Sequence, residues 1–86
     1  AMSDLAEHEL NVANYYFSKQ AYHSAISRYL FLLKNYPGFP HTANVAERLI
    51  KAYRLNRQPE LADEMQWVLD SLRERNLLAQ HDTSEE

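Results

Sequence analysis

Apolar residues return every three or four positions along most of this chain, in four stretches separated by short polar breaks. That period is helical, because 3.6 residues per turn place positions i, i+3, i+4 and i+7 on one face. The first helix is expected over about Asp4–Ser18, with Leu5, Val12, Ala13, Tyr16 and Phe17 as its stripe. Asp4 and Glu7 at its start suit a capping box and the positive end of the helix dipole. Lys19-Gln20 makes the connection, without the glycine usual at such an end. The second helix covers about Tyr22–Asn35, with Ala25, Ile26, Tyr29, Leu30, Leu32 and Leu33 apolar, and stops at Asn35-Tyr36-Pro37-Gly38.

A third helix is predicted over Thr42–Leu55, using Val45, Ala46, Leu49, Ile50, Ala52 and Tyr53. Asn56-Arg57-Gln58 turns the chain, and Pro59 suits the first position of a fourth helix. That helix runs to about Arg75 with Leu61, Ala62, Met65, Val68, Leu69 and Leu72 apolar. Residues 77–86 are largely polar and aperiodic, and disorder is expected there. Core packing is the ordinary role of residues at this spacing. Trp67 falls on the less apolar side of the fourth helix. Two roles stay open for it: covering the exposed end of the stack, which the pattern favours, or anchoring a partner.

The four helices are two copies of one unit. Tyr16, Ala25, Tyr29 and Pro37 form one set, and Tyr53 and Ala62 repeat its start 37 residues later. An aromatic nine residues before an alanine sets facing positions on the two helices of a hairpin, and the small alanine lets the backbones approach. Repeats of about 34 residues with this order are the mark of tetratricopeptide repeats. The fold class is therefore all-α: two tetratricopeptide-type αα-hairpins in a right-handed superhelical stack.

Composition narrows the function. Eighty-six residues allow one small domain. One glycine and three prolines, all near helix ends, argue against a sandwich or barrel. A formal charge of −3 has the wrong sign for nucleic acid. Cysteine is absent, which removes disulfides, thiol nucleophiles and cysteine metal sites. No apolar run approaches the roughly 20 residues of a membrane span, and no signal peptide is seen. Ala1-Met2 reads as a cloning remnant, so a soluble piece of a longer protein is expected.

The stretch Glu9–Leu69 resembles the C-terminal repeats of the BamD (ComL) family of outer-membrane β-barrel assembly lipoproteins. The resemblance rests on Val12-Ala13-Asn14-Tyr15-Tyr16, Ala21-Tyr22, Ala25-Ile26-Ser27-Arg28 and Asn35-Tyr36-Pro37, then Ala52-Tyr53-Arg54 and Ala62-Asp63. It implies a lipoprotein on the periplasmic face of the outer membrane, whose late repeats dock BamA through its POTRA domain and meet accessory assembly lipoproteins. Of the family's five repeats, residues 4–37 would be the fourth and 41–76 the fifth, with 1–3 a lead and 77–86 a tail. The family's lipid-bearing cysteine is missing, as expected of a fragment of a lipid-anchored parent. Lys19 and Arg28 match basic positions that, by the resemblance, face BamA. The second repeat departs from the pattern at Gln66, an aromatic position, and Glu74, the proline position; a final repeat tolerates such polar replacement.

Candidate contact residues follow. Arg28, inside an apolar helix, either pairs with a partner carboxylate or lays its stem along the core. Arg48, Lys51, Arg54 and Arg57 recur at three-residue steps. They either steer an acidic partner or, the favoured reading, form a solvated face paired with Glu47, Asp63 and Glu64. With Asn11 and Asn14 they would also suit a peptide carboxylate. The expected contact set is Lys19, Arg28, Arg48, Lys51, Arg54 and Trp67. His8-Glu9 starts like a zinc-protease helix, but the second histidine position holds Val12, and His8, His23, His41 and His81 show no ligand spacing. No nucleophile elbow or phosphate loop is present, so no catalysis, cofactor or metal is expected. The leading expectation is a non-catalytic scaffold that docks assembly subunits and self-associates weakly through the first helix. A peptide-binding adaptor, or a docking domain of an enzyme, stands behind it.

Overall fold

A computed structural model describes residues 2–84, and the side chains of 4–78. It contains four helices: α1 (Met2–Ser18), α2 (Tyr22–Asn35), α3 (Thr42–Leu55) and α4 (Pro59–Ser84). Among the described residues there is no strand. Each helix packs on the next in chain order, so α1–α2 and α3–α4 are two hairpins joined through α2 and α3. The chain is all-α, as its periodicity predicts.

The two hairpin turns are the same structure 37 residues apart. After α1, the Ala21 amide donates to the Tyr16 carbonyl and the Gln20 amide to that of Phe17. After α3, Gln58 donates to Tyr53 and Arg57 to Arg54. Both are Schellman motifs, which satisfy the last carbonyls of a helix by sending one residue into the left-handed region. Gln20 (φ 63°) and Arg57 (φ 61°) hold that conformation where glycine is usual. Lacking glycine, the turn still forms, at the cost of Cβ crowding.

The core lies along the helix interfaces. Ala25 and Ala62, equivalent in the repeat, are fully buried; a small side chain there permits close approach of the paired helices. Tyr29, Leu32, Leu49 and Leu69 are the largest fully buried side chains, each contributing about 1.5–3 kcal/mol of burial. Phe39, in the turn between α2 and α3, is also buried, and its amide donates to the Tyr36 carbonyl.

Three expectations need correction. Leu5 is 57% exposed, while Ala6 and Ala13 are the buried positions of α1. Helix α1 begins at Met2, so Asp4 sits within its first turn and is not the cap. Helix α4 continues to Ser84, well past Arg75, so residues 77–84 are helical and not a loose tail. Glu74 stands where Pro37 closes the first repeat, and nothing in the following sequence stops the helix. Ala1, Glu85 and Glu86, also in the expected lead and tail, lie outside the described residues.

Candidate functional site

The expected contact residues do not converge on one site. Arg48 and Lys51 come together on α3, where with Asn44 and Glu47 they line an open, polar cleft of about 490 Å³. The Arg48 guanidinium lies 5.7 Å from the centre of the Phe17 ring on α1, so this cation bridges the two first helices of the hairpins. It also acts on Tyr29: burial pushes the phenol above its ordinary value near 10, and the charge of Arg48 pulls partly back.

Of the other expected contact cations, Lys19, Arg28 and Arg54 each hold an acceptor or a ring. Arg54 pairs with Asp63 across the α3–α4 turn at 3.3 Å, with both side chains at least half exposed. Glu47 pairs with Arg73 on α4. The solvated-face reading of the α3 stripe therefore fits Arg54, with Glu47 held by a different arginine than expected. Lys19 places its ammonium 5.7 Å from the Tyr15 ring centre.

Arg28 is not a bare cation in an apolar helix. Its guanidinium donates to Glu9 Oε2 on α1 at 3.1 Å; the arginine side chain is 46% exposed, the glutamate 16%. Glu9 is the partner the sequence did not reveal, because 19 residues separate the two. Asn14, proposed as a peptide contact, accepts from the Tyr29 hydroxyl. Trp67 is 71% exposed on the outer side of α4. The favoured expectation, that it packs over the stack, does not fit this exposure: two residues on, Leu69 points to the other side of the helix and is the buried one.

Among the described residues no group of histidines and carboxylates is arranged to hold a metal ion, and no helix is long and apolar enough to cross a membrane. The arrangement offers dispersed charged and aromatic groups on rigid helices, which is the chemistry of recognition. No curated protein and no solved structure matches the chain. The profile of the YfiO outer membrane lipoproteins matches residues 1–69 of the 86; the chain belongs to that family, the BamD family its residues resemble.

Proposed function

We propose that this chain is a non-catalytic interaction scaffold of the machine that assembles outer-membrane β-barrels. In this reading residues 4–37 and 41–76 are tetratricopeptide repeats of a BamD-type lipoprotein, lipid-anchored at the periplasmic face of the outer membrane. They dock the POTRA domain of BamA and accessory lipoproteins. The observation that carries the reading is the family match over residues 1–69. It is supported by the pair of identical hairpin turns, which hold neighbouring helices rigidly and leave Lys19, Arg28, Arg48, Lys51 and Arg54 at the surface. Rigid presentation lowers the ordering cost of association.

The test is calorimetric titration of the folded chain with the POTRA domain of BamA. Saturable binding that weakens in Arg48→Glu/Lys51→Glu, with helicity unchanged by circular dichroism, is the expected result. Absence of binding at concentrations that populate micromolar complexes rejects the reading.

A second reading, an adaptor that takes a peptide in its groove, is favoured by the polar cleft of Asn44, Glu47, Arg48 and Lys51. An isolated peptide with a free C-terminal carboxylate then binds without any folded partner domain.

A further inference from the structure

The 37-residue repeat lets each residue of α4 be compared with its counterpart in α2. On α2, Arg28 reaches Glu9 of α1, while Leu33 shares an apolar cavity with Ala46 of α3. The flank of α2 that meets α3 therefore carries Ile26, Tyr29 and Leu33, with Leu30 at its edge. Their counterparts on α4 are Asp63, Gln66, Asp70 and Trp67. The opposite flank of α4 is already used, since Met65, Val68 and Leu72 line the same cavity as Leu33.

The free flank is thus polar where its equivalent is apolar, yet it holds the largest exposed apolar side chain of the chain. Continuing along it, Glu60 precedes Trp67 by seven residues and Glu74 follows by seven, with Leu78 four further on and 59% exposed. Among the described residues, no ion pair engages Glu60, Asp70 or Glu74; Asp70 accepts from the Gln66 amide. Arg54 partly neutralises Asp63 at the other end. Another hairpin stacked in the same register would bury Asp63 and Asp70 where the first interface buries Ile26 and packs Leu33, which desolvation forbids. Two copies meeting through this face would set like charges together.

We propose that this flank of α4 is a docking surface for a basic partner segment. An apolar side chain of the segment covers Trp67, and its arginines or lysines face Glu60, Asp70 and Glu74. A cation over the indole adds to the attraction, and an aromatic ringed by charge is the usual form of an interface hot spot. The surface selects against acidic partners, the opposite preference to the α3 cations. It goes beyond the scaffold reading, because it holds whatever the α3 cleft binds.

Trp67 is the sole tryptophan, so its emission reports directly on this face. The probe is a synthetic amphipathic peptide carrying arginine and leucine in helical register, with a glutamate-for-arginine twin as control. The arginine peptide is expected to give a saturable blue shift, the twin none. Asp70→Lys/Glu74→Lys should weaken binding about tenfold, since each exposed pair contributes up to about 1 kcal/mol. Glu7→Lys on α1 should leave it unchanged. Equal response to both peptides, no response to the arginine peptide, or equal loss from the Glu7 reversal overturns the proposal. A blue shift of the chain alone on concentration, with a dimer in sedimentation, also overturns it and assigns the face to a second copy.

Discussion

The Tyr29 hydroxyl donates to Asn14 Oδ1 at 2.6 Å, tying α2 to α1 from the end of a ring that is itself fully buried. The repeat's central aromatic thus fills the core with its ring and satisfies its polar tip on the neighbouring helix. Tyr29→Phe keeps the ring and removes the donor. Asn14 is only partly buried, so water can replace the lost donor, and the expected loss is about 1 kcal/mol. Urea unfolding of Tyr29→Phe, Asn14→Ala and the double variant checks this. Fully additive losses would mean that the bond contributes nothing.

Alkaline stability follows from the same residue. Burial raises the phenol of Tyr29, with Arg48 opposing; burial also raises that of Tyr53, helped by the charge of Glu64. The folded state favours the neutral phenols, so their contribution is fully present below the unfolded value near 10. It is lost as pH rises through the higher folded values. The melting temperature should fall above pH 10, and the fall should be shallower in Tyr29→Phe/Tyr53→Phe. An identical decline in that variant would assign the effect to other groups.

Helix existence and pairing were legible because period and punctuation agreed: Tyr16–Ala25 and Tyr53–Ala62 set the hairpins, and Pro37 and Pro59 marked ends. What could not be read were features without a local signal. Phe39 is buried from within a turn, and an isolated aromatic between Gly38 and Pro40 has no period. The Glu9–Arg28 pair depends on how α1 crosses α2. The role of Trp67 has no local signal either, because a lone aromatic on the polar side of the last helix suits a cover for the stack and a partner anchor alike, and only its 71% exposure separates them. Helix α4 ran on because the polar sequence after Leu78 lacks stripes but also lacks breakers.

The two left-handed residues give a stability prediction. Gln20 and Arg57 close equivalent turns with positive φ, and a Cβ in that conformation costs about 1 kcal/mol relative to glycine. Glycine also loses more chain entropy on folding, so each of Gln20→Gly and Arg57→Gly should gain about 0.5 kcal/mol net. Thermal melts should rise for both singles and nearly additively for the double. A lowered midpoint would show that side-chain contacts outweigh the backbone strain.

Close approach of the hairpin helices rests on Ala25 and Ala62. Both are fully buried, and neither site has room for more atoms unless the helices move apart. Ala25→Leu should therefore destabilise by about 1–3 kcal/mol, despite leucine's favourable helix propensity and greater hydrophobicity. Chemical denaturation decides it; a neutral or stabilising leucine would show that the crossing is loosely packed.

Arg28 offers the sharpest separation of structure from recognition. Its bond to Glu9 is half exposed on the arginine side, so solvent screening holds its worth to at most about 1 kcal/mol. Arg28→Glu sets two carboxylates against each other across α1 and α2, and should lose both that small stability and any contact with a partner carboxylate. The swap Glu9→Arg/Arg28→Glu restores the internal pair with reversed polarity. If Arg28 acts only within the chain, the swap should recover stability and binding of the POTRA domain together. If Arg28 also meets the partner, as the BamD-type reading holds, stability returns and binding stays weak. Denaturation and titration run on the same three proteins distinguish the outcomes, and full recovery of binding in the swap would remove Arg28 from the interface.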